Sequence, residues 1–329
     1  MVSWLLRLLQ AARLGAELGL RPEPGTVALA HREAARAGEP AGECQLAELR
    51  GIVAGPDPLR GLALADELGV TAIVLPELDA LRGVAQSPNH HLDVHGHTLA
   101  VLERTLEVEA DLERFAGDRA EEVRALLAEP LADEVSRGTA LRFGALLHDV
   151  GKPATRGEHD GHVTFIGHDK DGVEIVGGLC RRLRASRKLT GHLQSLTLHH
   201  LRLGFLVHEA PLPPRRVHEY LRATEPVAAD VTLLTVADRL SARGSGPFAT
   251  EEAIEAHLGL AREMLAAALE WRRNGPPEPL LRGDELAAEL GIAEGPELGA
   301  LLAELEAAQY AGEVTTRAEA VEYLRLRRR

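Results

Sequence analysis

The stretch Leu146-Leu147-His148-Asp149-Val150-Gly151-Lys152-Pro153 decides how the chain is read. A histidine and an aspartate stand side by side at the end of an apolar helix, and a Gly-Lys-Pro turn stops that helix directly after them. Adjacent residues on a helix point in different directions, so the pair cannot enclose a metal ion unaided. Further ligands have to come from other helices, and the surrounding sequence supplies them.

Of the 15 histidines, all but His31 and His257 fall between Asn89 and Gly246. Long helical patterns fill that stretch: Asp93–Phe115, Asp118–Ser136, Thr139–Asp149, Gly167–Arg184, Leu189–Val207, Pro214–Ala223 and Val227–Arg243. Each candidate ligand lies on the apolar stripe of its helix. His97 sits between Val94 and Val101, on a stripe that runs on to Val108. His148 extends Leu141, Gly144 and Ala145, and His168 opens Gly172, Ile175 and Leu179. His200 falls among Leu189, Leu193, Leu196, Leu203 and Val207; Asp238 continues Val227, Val231 and Leu234. Five helices thus each aim one ionisable group at the core.

Such groups are costly to bury unless they are paired or bound to metal. One inward histidine alone would be read as a hydrogen-bonded core residue. Five converging stripes plus the His-Asp pair predict a metal centre of one or two ions. Imidazoles with carboxylates and no cysteine suit a divalent transition metal, namely Mn, Fe, Zn, Co or Ni. His199, on the polar side of its helix, is open to three readings: a support for the ligands, a second-metal ligand, or a surface residue. Asp93 is placed to cap the His97 helix, with His90, His91 and His95 at the mouth of the pocket. A metal lowers the pKa of bound water and screens anionic oxygens, which makes phosphate esters the natural target. Lys152, one of only three lysines, stands one turn past the pair, where it could steady a phosphoryl group; a surface lysine is the bland alternative.

Composition agrees with an all-α protein: aromatics are 3%, hydrophobic residues 45%, and Ala, Leu, Gly, Arg and Glu dominate. A net charge of −13 argues against a general nucleic-acid sponge. Cys44 and Cys180, far apart, give neither a disulfide framework nor a thiolate zinc site, and they suit a reducing, cytoplasmic compartment. No apolar run reaches membrane-spanning length, and Met1–Gly19 reads as a first buried helix rather than a signal peptide. Residues 1–88 form a region of short helices between Gly/Pro breaks, in which Val70–Leu75 is a buried helical turn rather than a strand. Residues 89–246 form the metal-binding domain. Gly244-Ser245-Gly246-Pro247 reads as a linker to a helical tail, residues 247–329.

His97, His148-Asp149 and Asp238 resemble the H…HD…D pattern of the HD superfamily of metal-dependent phosphohydrolases. His168 and His200 fall where its two-metal members carry additional histidines. More narrowly, the chain resembles the part of bacterial tRNA nucleotidyltransferases (CCA-adding enzymes and poly(A) polymerases) that follows their catalytic head. Leu5–Leu20 with Arg50–Leu81 is similar to their helical neck, and Pro88-Asn89-His90-His91-Leu92-Asp93 through His97-Thr98-Leu99 to the start of their HD domain. Gly283-Asp284-Glu285-Leu286, Gly295-Pro296-Glu297-Leu298-Gly299 and Gly312-Glu313-Val314-Thr315-Thr316-Arg317 are similar to their tail.

The head of that family carries a Gly-Ser turn followed by an Asp-x-Asp metal pair, and no such combination occurs here. Nucleotide addition is therefore not expected of this chain: either the head has been lost, or it lies on a separate chain, or the start is truncated. The resemblance implies His97, His148, Asp149 and Asp238 as primary ligands, with His168 and His200 on a second ion. It implies hydrolysis of a phosphomonoester, a 2′,3′-cyclic phosphodiester or a nucleotide, carried by a small molecule or an RNA end. The alternative is a tRNA-binding body. Arg181, Arg182 and Arg184 with Arg187 and Lys188 form one basic cluster for RNA backbone, Arg215-Arg216 a second, and Arg325 with Arg327 to Arg329 a third; a solvated face is the competing reading.

Overall fold

The computed structural model describes residues 4–34 and 41–327, so Met1 to Ser3 and the arginines Arg328 and Arg329 of the third basic cluster lie outside the described residues. The described residues are all-α apart from two short hairpins. Helices α1 (Trp4–Leu18), α2 (Pro24–Ala34), α3 (Gly42–Ala54), α4 (Pro58–Glu67), α5 (Thr71–Val74) and α6 (Pro76–Asp79) come first. The expected turn at Val70–Leu75 is α5. The buried face of α1 is Leu5, Leu8, Leu9 and Ala12, spaced three and four apart as an amphipathic helix requires. Asp57 starts α4 by accepting a hydrogen bond from the Arg60 amide at 2.9 Å, with Pro58 in the first turn.

The central part holds α7 (Val94–Ala110), α8 (Leu112–Ala116), α9 (Ala120–Ala128), β1 (Pro130–Ala132), β2 (Val135–Ser136), α10 (Arg137–Leu147) and α11 (Lys152–Thr155). It continues with β3 (Gly157–His159), β4 (His162–Thr164), α12 (His168–Arg182), α13 (Arg187–His199), α14 (Arg202–Leu206), α15 (Pro214–Thr224), α16 (Ala228–Ser241) and α17 (Glu251–Asn274). Helices α18 (Gly283–Leu290), α19 (Pro296–Tyr310) and α20 (Arg317–Arg327) follow.

Three expected helices are shorter than the periodicity suggested. Asp111 breaks Asp93–Phe115 by capping α8. Pro130 and a left-handed turn at Asp133-Glu134 (φ 52° and 57°) convert the end of Asp118–Ser136 into the β1–β2 hairpin. The third, Leu189–Val207, breaks after His199. The β3–β4 hairpin turns through Asp160-Gly161 (φ 51° and 74°), the Asp-Gly pair that such two-residue turns favour.

Helix α16 lies at the centre, packed against α7, α10, α13 and α17 and buried along most of its length. Its Thr232 and Ser241 hydroxyls donate back to the Ala228 and Ala237 carbonyls, which lets polar side chains sit inside. Buried apolar side chains from Leu5 to Trp271 form one cluster, and those from Leu281 to Leu324 a second. Helix α17, placed with the tail in the sequence reading, contributes Ile254 through Trp271 to the first cluster. Arg142 ties α10 to Glu109 of α7 and to the Val53 carbonyl of α3, and Arg182 ties α12 to the Val74 carbonyl and the Glu77 carboxylate. The second core is joined to the first by Arg215 on Glu313 and Glu304 and by His218 on Glu306.

Candidate metal centre

His148 caps the C-terminus of α10 and Asp149 follows in the turn to α11; both side chains are buried. The Asp149 carboxylate divides its two oxygens between two groups of imidazoles. Oδ2 lies 3.2 Å from His148 Nε2 and 3.8 Å from His97 Nε2. Oδ1 lies 3.3 Å from His168 Nε2 and 3.7 Å from His200 Nε2. On the far side of His97, Asp238 Oδ1 is 3.0 Å from its Nε2. His97 from α7, His148 from the end of α10, His168 from the start of α12 and His200 from the end of α13 therefore meet around the Asp149 carboxylate, and Asp238 from α16 joins them through His97.

The tautomers follow from the helices. His148 Nδ1 donates to the Ala145 carbonyl at 2.9 Å, His168 Nδ1 to Phe165 at 2.7 Å and His200 Nδ1 to Thr197 at 2.6 Å. With each Nδ1 carrying the proton, each Nε2 presents a lone pair to the centre. Two such lone pairs, those of His168 and His200, face each other at 3.2 Å. His148 Nε2 is buried with no hydrogen-bond partner. A centre of converging lone pairs and carboxylates fits a cation, and it is unfavourable without one.

Charge tells the same story. Burial pushes Asp149 upward, but His148 and Lys152 outweigh it and hold the carboxyl well below its ordinary range. Asp238 is likewise held low, burial being overcome by the His97 hydrogen bond. Burial also acts on His148, yet Asp149 prevails and raises it, whereas burial with His148 beside it lowers His200 to about 4. Two ionised carboxylates thus face imidazoles, and the site draws positive charge. Asp238 keeps 26% of its side chain exposed, which places the opening at that end.

Glycines let the helices come this close. A Cβ on Gly151 would stand 2.1 Å from the His168 carbonyl oxygen, and one on Gly172 would stand 2.7 Å from Thr197 Cγ2. Gly151→Ala is expected to push the start of α12, and His168 with it, away from Asp149. Loss of about ten- to a hundredfold in metal affinity should follow, read by metal titration. An unchanged affinity would mean that α12 does not set the site.

Lys152 is placed differently from the expectation of a free phosphate ligand. Its ammonium is buried, 2.7 Å from Asp149 Oδ2 and 2.7 Å from Gln86 Oε1, over the Phe165 ring. Gln86 had no sequence signal. His199 does not join the cluster. It lies about 100° around the helix from its neighbour His200, and its Nδ1 accepts from Arg202 Nε at 3.1 Å. Of the mouth residues, His90 belongs to a group with His97 and Asp238, while His91 is exposed and His95 half-buried, neither one in the group. Asp93 caps α7 as expected, accepting from Gly96 and Gly83 amides, each at 2.7 Å.

The basic clusters are largely consumed in internal ion pairs. Arg182 is tied to Glu77 and Arg184 to Glu43, leaving Arg181, Arg187 and Lys188 exposed without an ion pair among the described residues. Arg215 and Arg216 engage Glu313, Glu304, Glu209 and Glu219; Arg325 and Arg327 engage Glu289 and Glu304. No helix among the described residues is long and apolar enough to cross a membrane.

Comparison with known proteins agrees with this geometry. The HD domain family model matches residues 94–243. The A-adding tRNA nucleotidyltransferase of Deinococcus radiodurans is 33% identical over 322 residues, covering 96% of this chain and 66% of that protein. The CC-adding tRNA nucleotidyltransferase of Thermus thermophilus is 32% identical, covering 97% of this chain and 65% of that one. This chain thus spans just under two thirds of their length. Among solved structures, the Thermotoga maritima CCA-adding enzyme complexed with tRNA superposes with a TM-score of 0.51 at 15% identity, over 98% of this chain and 61% of that one. A CCA-adding enzyme with ATP gives 0.53 at 16%, over 98% and 60%; both show a shared fold. Residues 94–243 match the HD domain family, in a chain that is similar over nearly its whole length to bacterial tRNA nucleotidyltransferases.

Proposed function

We propose that this HD centre is a metal-dependent phosphohydrolase acting on a phosphate ester: a phosphomonoester, a 2′,3′-cyclic phosphodiester or a nucleotide, including one at an RNA 3′ end. The observation that carries the proposal is the pair of facing lone pairs on His168 and His200, next to the partnerless Nε2 of His148. That arrangement fits one or two divalent transition-metal ions, with His97, His148, Asp149 and Asp238 holding the first and His168 and His200 the second. A metal bound there would supply hydroxide at neutral pH and screen the phosphoryl oxygens. Asp149 bridges both groups and fixes their separation. Lys152 steadies Asp149 as its counter-ion. The partly exposed Asp238 end admits the ester. A cytoplasmic location belongs to the same proposal.

The test is metal analysis followed by a panel of the three ester classes. Turnover of at least one class should vanish on chelation and return with Mn, Co or Ni. Turnover that persists in metal-free protein, or metal-loaded protein inert on all three classes, would sink the proposal.

The similarity outside the HD domain favours a second reading, a tRNA-binding body serving a nucleotidyltransferase head supplied elsewhere. The exposed Arg181, Arg187 and Lys188, beside Arg184, would contact the RNA backbone. That reading requires salt-sensitive tRNA binding that survives loss of the metal ligands, and an absence of binding at low salt would exclude it.

A further inference from the structure

The segment Gly244-Ser245-Gly246-Pro247 behaves as a clamp on the mouth of the centre, not as the linker its composition suggested. The Gly244 amide donates to the Asn89 carbonyl at 2.9 Å, and the Ser245 and Gly246 amides donate to the Pro88 carbonyl at 2.8 and 3.0 Å. The Asn89 side chain returns the contact, its Oδ1 accepting from the Phe248 amide at 3.2 Å. Arg239, next to Asp238, donates to the Phe248 carbonyl at 2.9 Å. The fit leaves no room for a side chain. A Cβ on Gly244 would stand 2.1 Å from the Pro88 oxygen and 2.7 Å from the His90 amide nitrogen, and one on Gly246 would stand 2.1 Å from Asn89 Oδ1.

What the clamp holds is His90. Its ring meets the His97 ring edge-on, with centroids 4.7 Å apart, and it offers a ligand atom close to those of both His97 and Asp238. We infer that His90 is a further metal-facing group at the open, Asp238 end of the centre, and that the turn at Gly244–Phe248, acting with Asn89, positions it there. This rests on the metal reading above and adds a ligand from the loop before α7 to the set.

Co2+ titration of the full chain, followed by calorimetry and visible absorption, tests it. His90→Ala is expected to bind Co2+ about tenfold more weakly with a changed ligand-field spectrum, and Gly244→Ala to do much the same. The two together should be no worse than the weaker single variant, because the clamp acts through His90. Asn89→Ala removes one hydrogen bond without overfilling the turn, and it should show the same coupling if Gly244→Ala folds poorly. Losses that add, or a His90→Ala protein with unaltered affinity and spectrum, would overturn the inference. An unaltered chain that takes up no Co2+ would overturn it together with the metal reading. A Co2+-loaded protein that hydrolyses no ester counts only against the hydrolase.

Discussion

His148→Ala combined with Asp149→Ala is expected to empty the centre of metal and to abolish hydrolysis of a generic phosphodiester. The double change removes the buried Nε2 that has no hydrogen-bond partner and the carboxylate that both imidazole groups share. With the shared carboxylate gone, His97 keeps Asp238, but His168 and His200 face only each other. Charge stabilisation by a bound metal contributes several kcal/mol to such a transition state, so the rate should fall by on the order of 10³ or more. Asp149→Asn, nearly the same size, separates chemistry from packing. It should leave far-ultraviolet circular dichroism intact while metal content, measured by atomic emission, collapses. Full metal content in either variant would place the ion elsewhere.

Arg137→Ala should cost more in stability than any surface change in the protein. Asp230 is fully buried on α16, two turns before Asp238, and Arg137 pairs with both of its oxygens, Nε on Oδ1 at 3.1 Å and Nη2 on Oδ2. The guanidinium also donates to the Pro226 carbonyl at 3.3 Å. Removing it strands a carboxylate whose remaining neighbour is His192, 3.7 Å away. Breaking one side of a buried pair costs about 3–5 kcal/mol, whereas replacing both partners by apolar residues is often tolerated. Urea unfolding should show that drop for Arg137→Ala and a smaller one for Arg137→Met with Asp230→Leu. A drop below about 1 kcal/mol for the single change would mean that the pair is not supporting α16.

Helical periodicity was enough to place His97, His148, His168, His200 and Asp238 on inward faces, since three- and four-residue spacing survives any error in helix ends. It put His199 on the polar side of its helix but left it open as a second-metal ligand, and the structure turns it towards Arg202. What it missed was short and irregular. The β1–β2 and β3–β4 hairpins turn on two residues each, too few to show a period, and only Pro130 and Asp160-Gly161 marked them. Gln86 reaches Lys152 from a loop, where spacing carries no direction. Glycine at Gly244 and Gly246 looked like freedom and is instead the condition for contact with Pro88 and Asn89. Runs of arginine read equally as a nucleic-acid face or a solvated one, and most of those described are met by glutamates distant in sequence. Local composition cannot show that.

The three imidazoles whose Nδ1 protons are anchored to carbonyls three residues behind them have a thermodynamic consequence. Ring rotation is frozen when the polypeptide folds, so an arriving cation meets oriented donors and loses little to their ordering. The unfolded chain offers no such arrangement, and occupancy therefore shifts the folding equilibrium: cation at a thousand times its dissociation constant would add about 4 kcal/mol. Cellular supply of the ion would then act on the lifetime of the protein as well as on its turnover.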